Sequence, residues 1–355
     1  MSASEKSSAA AGREGRRAHE PRAHLVGSIP LADSESVFRL VAATLGGHLR
    51  RIPDGETGRR TRWNSWTAPT YEQTPGLELV PPPPGSYTPW PQARLVIDAD
   101  QLVLARIGIA DAAIESYAKF AALKAEEVIP PHARFQVCLP SPIAPMTVLI
   151  EQGSRAAVEP AHLRQLHSEI AEILAAVPHD QLAIQWDVCQ DVGIWEGFYP
   201  AYFDDPQAGV TERLRDCAQL IPQDVEVGFH LCYGDFGHRH FMNPADLGVA
   251  TEMINRLTAA CARMIDYFHV PVPIDRDDPP YYAPLAALTL GPRTELYIGL
   301  IHFADGIDGA QRRIAAARGY VADFGVATEC GFGRRAPETI EPLLALHADV
   351  AALVA

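Results

Sequence analysis

The stretch Val227-Gly228-Phe229-His230-Leu231-Cys232-Tyr233-Gly234-Asp235 places a histidine and a cysteine at the end of an apolar run. Such a run followed by glycine is typical of a buried strand that enters a loop. Because side chains two residues apart on a strand face the same side, His230 and Cys232 can both point at one ion. A second run, Gly325–Cys330, also ends in a cysteine. One imidazole and two thiols form the soft donor set that zinc prefers, and a core histidine with two buried thiols is the alternative.

Eight apolar runs along the chain are predicted to be strands, and amphipathic segments at helical spacing separate most of them. The runs are His24–Ile29, His48–Ile52, Arg134–Leu139, Leu182–Asp187, Glu226–Cys232, Ile265–Pro271, Leu296–His302 and Gly325–Cys330. The helical segments include Ser34–Leu45, Ala110–Val128, Pro160–Val177, Thr211–Ile221, Pro244–Met264, Ile307–Tyr320 and Pro337–Val354. This alternation predicts an α/β fold with a single (β/α)8 barrel, or TIM barrel, over residues 23–355. A doubly wound open sheet is the alternative.

The stretch 66–95 interrupts the alternation, because it contains Pro81-Pro82-Pro83-Pro84-Gly85 and Pro89-Trp90-Pro91. Proline cannot donate a backbone hydrogen bond, so we predict a long Pro-rich insertion after strand two without regular elements. A long loop at this end of a barrel often forms a substrate lid, and a surface linker fits the same residues.

Composition argues against several classes of protein. The net charge of −14 disfavours a nucleic-acid-binding surface, and no apolar run is long enough to cross a membrane. Residues 1–22 lack the apolar core of a signal sequence and are predicted to be a disordered N-terminal tail. Six cysteines are too few for a disulfide scaffold, so we expect a cytoplasmic protein with reduced thiols. Four of them lie in apolar contexts and are interpreted as small buried side chains: Cys138, Cys189, Cys217 and Cys261.

Ionisable residues collect at the ends of the predicted strands, which form the active site in a (β/α)8 barrel. Three of them end strands four, six and seven: Asp187, His269 and His302. The loop after strand two adds four more: Asp54, Glu56, Arg59 and Arg60. Its carboxylates can hold a substrate ammonium, and its arginines a carboxylate, sulfonate or phosphate. A solvated turn with internal ion pairs is the alternative for this loop.

This ordered set of residues resembles the cobalamin-independent methionine synthase family, in its catalytic C-terminal barrel. The matching segments, in chain order, are Val26-Gly27-Ser28, Asp187, His230-x-Cys232-Tyr233, Ile301-His302 and Glu329-Cys330-Gly331. The resemblance implies that His230, Cys232 and Cys330 bind a zinc ion (Zn2+), which holds a substrate thiol as thiolate for attack on a methyl group. It further implies an acid–base role for His302. By the same resemblance the thiol pocket contains Gly27, Ser28 and Asp187.

Three departures from the family pattern modify this expectation. The chain has no tandem N-terminal barrel, so the full synthase is not expected. The family's carboxylate zinc ligand falls on strand six, where this chain has no glutamate, and His269 is predicted to take its place. The charged segment 50–60 is not the synthase pattern and suggests a different electrophile or thiol. The chain also resembles the epoxyalkane:coenzyme M transferases, which carry the same zinc pattern on a single barrel.

The predicted activity is zinc-dependent alkyl transfer to a thiol, with methyl as the expected group. Few thiols are ionised at neutral pH, because their pKa is about 8.5, and coordination to zinc removes the proton. Substrate is predicted to contact Gly27, Ser28, Asp54, Glu56 and Arg59. The expected partners are a small-molecule thiol and a methyl or alkyl donor, without nucleic acid or membrane, and a homo-oligomer is left open. Alternatives are an epoxide:thiol transferase, a metal-free lyase of the uroporphyrinogen decarboxylase type, and a thiol-binding protein without turnover.

Overall fold

A seven-stranded parallel sheet is the centre of the fold in a computed structural model, which describes residues 22–86, 89–236 and 239–355. The strands of the described chain are β1 (Arg51–Pro53), β2 (Leu77–Val80), β3 (Gln92–Leu95), β4 (Arg134–Pro140), β5 (Leu182–Val188), β6 (Glu226–Leu231), β7 (Tyr267–Pro271), β8 (Glu295–Ile301) and β9 (Gly325–Thr328). The order in the main sheet is β1-β4-β5-β6-β7-β8-β9, so sequential strands of this sheet are neighbours. Strands β5 and β7 are buried along their whole length, which explains their continuous apolar runs.

The segment around Ala23 lies between the two outer strands of this sheet. Ala23 forms parallel bridges to both Leu49, beside β1, and Val326 in β9. The amide of Ala23 donates to the carbonyl of His48 at 2.9 Å, and the amide of Val326 donates to the carbonyl of Arg22 at 2.7 Å. The sheet is therefore curled and TIM-barrel-like, which confirms the predicted α/β class. The predicted strand His24–Ile29 is wrong as a regular strand, because it pairs with the sheet only at its first residues.

Helices lie between the strands, as the alternation predicts. In the described chain the α-helices are α1 (Ser34–Leu45), α2 (Ala68–Glu72), α3 (Ile109–Ala125), α4 (Ile143–Leu149), α5 (Arg155–Ala176), α6 (Gln190–Trp195), α7 (Pro206–Leu220), α8 (Gly248–Ala260), α9 (Pro279–Tyr282), α10 (Gly306–Arg318) and α11 (Ile340–Ala352). Helix α1 has the predicted bounds, because Asp33 caps its first turn through the amide of Ser36. None of these helices is both long and apolar enough to cross a membrane.

The Pro-rich stretch 66–95 contains regular structure, so the prediction of an irregular insertion is wrong on this point. Helix α2 opens the stretch, and β2 and β3 pair as an antiparallel hairpin. The proline run Pro81–Pro84 lies in the loop between β2 and β3, where its residues do not need to donate hydrogen bonds to a neighbouring strand. Trp90 follows that connection and packs edge-on against Phe236, with ring centroids 6.1 Å apart. A lid function for this hairpin stays a prediction. Residues 1–21 of the predicted tail lie outside the described chain.

Candidate metal centre

His230, Cys232 and Cys330 meet at the carboxyl-terminal edge of the sheet. His230 is in β6, Cys232 directly follows that strand, and Cys330 follows β9. The two sulfur atoms are 3.9 Å apart, and the Cys330 sulfur is 3.9 Å from Nε2 of His230. In the described chain, these three side chains form a group whose donor atoms all lie within 4.8 Å of one another. The strands thus bring the predicted imidazole and two thiols together.

The spacing of the donor atoms fits zinc. Two thiolates bound to zinc at about 2.3 Å in tetrahedral geometry lie about 3.8 Å apart, close to the 3.9 Å between the two sulfurs here. His230 and Cys232 are buried, and Cys330 is half-buried. The amide of Gly234 donates to the Cys232 sulfur at 3.3 Å, as expected around a thiolate ligand. A His-Cys-Cys group compatible with zinc is therefore present.

Without an ion, the thiols are protonated and the imidazole is neutral. A hydrogen bond with Cys189 is the main cause that raises the pKa of Cys232 well above its usual range. The hydrogen bond with Cys232, followed by burial, raises the pKa of Cys330 in the same direction. Burial lowers the pKa of His230 well below its usual range, so its ring is in the neutral form that binds metals. A divalent cation opposes the rise in thiol pKa, because it stabilises the thiolates.

His269 contacts His230 and does not reach the thiols, so its prediction as fourth ligand is not supported by this arrangement. Its Nε2 lies 3.0 Å from the carbonyl oxygen of Thr328, which can only accept, so this nitrogen donates. Burial lowers the pKa of His269 to about 3, so its ring is neutral and its Nδ1 is an acceptor. That Nδ1 is 2.7 Å from Nδ1 of His230, which therefore carries the proton. His269 thus leaves the lone pair of His230 on Nε2, the atom that faces Cys330.

A cavity of about 310 Å³ lies beside the three donor residues. Gly27, Ser28, Glu56 and Asp187 share its lining with the donor group. The structure therefore brings together four of the predicted substrate-site residues.

Glu56 and Asp187 are two buried carboxyl groups in this cavity. Ser28 Oγ donates to Glu56 at 2.6 Å, and burial raises the pKa of Glu56 to about 7. Asp187 accepts from Nε1 of Trp63 at 3.0 Å and from Nε2 of Gln185 at 2.9 Å. Burial, followed by the charge of Glu56, raises the pKa of Asp187 well above its usual range. Two buried carboxyl groups whose pKa values are both raised favour a cationic ligand, because a cation stabilises their charged forms.

Gly27 also lines this cavity, where neighbouring side chains leave little room for a Cβ atom. A Cβ atom at Gly27 would lie 3.1 Å from the Cys138 sulfur and 3.3 Å from Oε2 of Glu56. The neighbouring Ser28 accepts a backbone hydrogen bond from Phe332 at 2.6 Å, which ties the loop after β9 to this wall. A side chain at Gly27 would therefore displace Glu56 or Cys138.

Asp54 and Arg59, both predicted to bind substrate, do not line this cavity. Asp54 pairs with Arg60 at 2.6 Å and accepts from the amide of Glu56 at 2.9 Å. It supports the backbone of Glu56, whose φ of 46° is unusual for a residue other than glycine. Arg59 is exposed and lies over the ring of Trp66 at 5.6 Å. The alternative of a turn with internal ion pairs describes Asp54 and Arg60 better.

His302 lines a second cavity of about 150 Å³. Cys232 and Cys330 line both cavities, so a substrate sulfur bound between them can be approached from either one. Nε2 of His302 donates to the carbonyl of Val272 at 2.8 Å, and burial lowers the pKa of His302. His240 pairs with Glu329 at 2.9 Å in this cavity. His238, from the same loop as His240, lies outside the described residues.

Among the residues of the first cavity outside the predicted site are Trp63 and Cys189. Trp63 donates its indole N–H to Asp187. Cys189 was interpreted as a small buried residue, but it lines the cavity. The spacing rule that selected His230 and Cys232 also applies to Asp187 and Cys189, and would have found this thiol.

The fold and the His-Cys-Cys group define a TIM-barrel-like protein with a candidate zinc centre. Among solved structures, it is similar to a B12-independent methionine synthase from Shewanella sp. W3-18-1, solved in complex with selenomethionine. The TM-score is 0.63 at 15% identity, covering 94% of this chain and 97% of that one. It is also similar to a protein assigned as a vitamin-B12-independent methionine synthase from Listeria monocytogenes. For this second structure the TM-score is 0.56 at 16% identity, and the match covers 91% of this chain and 87% of that one.

These similarities confirm the predicted resemblance at the level of the fold. At these sequence identities, the similarity supports a shared fold and no conclusion about function. No protein-family model matches the chain, and no curated protein matches it.

Proposed function

We propose that the protein is a zinc-dependent transferase that moves an alkyl group, in the first instance methyl, to a substrate thiol. The observation that carries this proposal is a His-Cys-Cys group that lines the first cavity, with both of its thiols also lining the second. His230, Cys232 and Cys330 would hold the ion. Bound there, zinc would keep a substrate thiol deprotonated and nucleophilic at neutral pH. A closed structural site would not need a cavity beside its donor atoms.

The first cavity suits a thiol that carries an ammonium group. Glu56 and Asp187 are both buried, and an ammonium would compensate their charges. Arg62 also lines the cavity and can hold a carboxylate of the same molecule. We therefore propose an amino-acid thiol as acceptor. A sulfonate-bearing thiol of the coenzyme M type would place its anion beside two carboxylates, which disfavours the epoxide:thiol alternative.

The second cavity is proposed to receive the alkyl donor. His302 lines this cavity together with both thiols, and its neutral ring donates from Nε2 to the carbonyl of Val272. From this position its Nδ1 would take up a proton from solvent and pass it to the leaving group of the donor.

The test is thiol consumption by zinc-loaded protein with an amino-acid thiol and, in turn, methylfolates, methylcobalamin and epoxides. We expect turnover with a methyl donor and none after chelation. Cys330→Ala should abolish it, and Cys217→Ser, which alters a buried thiol outside the cavity, should not. Turnover that persists after zinc removal would contradict the proposal and favour the metal-free lyase class. Turnover with epoxides alone would favour the coenzyme M type.

A further inference from the structure

Cys189 is a third thiol beside the candidate metal centre. It directly follows β5, is 4% exposed, and lines the first cavity together with the three donor residues. Strands β5 and β6 are paired in parallel, and the amide of Cys232 donates to the carbonyl of Val188 at 2.9 Å, so Cys189 and Cys232 follow neighbouring strands side by side. A thiol that lies beside a ligand residue and lines the same cavity is in the surroundings that a fourth ligand requires.

The other candidate ligands of this cavity are already engaged. Both ring nitrogens of His269 are used, by His230 and by the carbonyl of Thr328. Both carboxylate oxygens of Asp187 accept hydrogen bonds, from Trp63 and Gln185.

Two further carboxylates that line the first cavity also have partners. Glu56 accepts from Ser28, and Asp235 is ion-paired with Arg334. Cys189 lies beside the donor group, at the end of the strand that pairs with β6, and lines the same cavity.

We propose that Cys189 is the fourth protein ligand of the resting zinc site, giving a donor set of three sulfurs and one nitrogen. This inference rests on the proposed metal centre. The Cys189 sulfur is more than 4.8 Å from at least one of the other three donor atoms, so its side chain rotates on metal binding. Rotation about one bond is a small change for an unbranched side chain.

This ligand set has a consequence for substrate binding. A site with four protein ligands has no open position, so a substrate thiol has to displace one of them. Cys189 is the ligand to be displaced, because it is the one outside the compact group of three. Its sulfur then accepts the proton that the substrate thiol gives up, so the exchange is balanced.

The experiment is the absorption spectrum of the cobalt-substituted protein, since sulfur-to-cobalt charge-transfer intensity increases with the number of thiolate ligands. Loss of one sulfur of three lowers this intensity by about a third. We expect this fall in Cys189→Ser, at full cobalt occupancy, and an unchanged spectrum in Cys217→Ser. Zinc-edge X-ray absorption of the unaltered protein should independently give three sulfurs and one nitrogen.

Two outcomes separate this inference from the proposal on which it rests. If Cys189→Ser keeps the full intensity while Cys232→Ser loses it, Cys189 is not a ligand and the three-residue site stands. If Cys232→Ser also keeps the full intensity, the metal centre itself is wrong. Two sulfurs in the X-ray absorption of the unaltered protein would overturn the inference even if the Cys189 variant fails to fold.

Discussion

Glu56→Gln tests whether a buried carboxyl group in the first cavity is held for function at a cost in stability. Burial raises the pKa of Glu56 from 4.5 to about 7, against the hydrogen bond from Ser28, which lowers it. Glutamine keeps an acceptor for Ser28 but has no charge to bury. The substitution therefore removes the titration and leaves the size of the side chain almost unchanged.

The effect has a definite sign and pH range. Between pH 4.5 and about 7, the folded protein holds a proton on Glu56 that the unfolded chain has released. The free energy of unfolding of the native protein therefore falls as pH rises through this range. Each pH unit is worth about 1.4 kcal/mol, so the loss amounts to about 3 kcal/mol and is complete above pH 7.

The assay is urea unfolding of both proteins from pH 4.5 to pH 8.5. We expect the free energy of unfolding of Glu56→Gln, relative to that of the native protein, to rise by about 3 kcal/mol from pH 4.5 to pH 8.5. Glu115→Gln is the matched control, because Glu115 is exposed on α3, where it pairs with Lys119. Native and Glu56→Gln curves that stay parallel across the range would refute the claim that this carboxyl is buried at a cost. An amino-acid thiol should bind Glu56→Gln more weakly than the native protein above pH 7.

Three further substitutions test other contacts of the site. Ser28→Ala removes the hydrogen bond to Glu56 and should move the pH midpoint of thiol affinity upward by about half to one unit, measured as KM against pH. Trp63→Phe removes the N–H that Asp187 accepts and should raise KM for an amino-acid thiol about tenfold with kcat kept. An unchanged KM would remove Asp187 from the thiol pocket. His302→Gln should lower kcat about 100-fold or more while zinc content stays the same, and loss of zinc instead would make His302 structural.

Much of the fold follows from hydrophobic pattern. Strands β5 and β7 are buried on both faces, so they appear as continuous apolar runs whose predicted bounds are nearly right. Two segments were predicted wrongly because their signals are weak. The first was predicted to be a strand, but the chain there contributes only bridges at Ala23. The hairpin strands β2 and β3 are short, and the intervening prolines suggested an irregular segment.

The candidate site was predictable where sequence spacing determines the direction of a side chain. It was not predictable where contacts with distant residues determine its role. The i, i+2 rule places His230 and Cys232 on one side of β6, and the end of β9 supplies Cys330. No spacing rule reveals that a carbonyl acceptor at Thr328 fixes the proton on His269 and through it the free nitrogen of His230. Equally, residue type alone cannot separate Glu56, which faces the cavity, from Asp54, which supports its backbone.

Metal content of the purified protein is the most direct test of the central claim, which is that His230, Cys232 and Cys330 hold zinc. Native protein and Cys217→Ser are expected to carry about one zinc per chain after dialysis, since both keep the three donors. Cys232→Ser should lose most of it while its far-ultraviolet circular dichroism stays native. Absence of zinc from the native protein, or equal zinc in native and Cys232→Ser protein, would contradict the account.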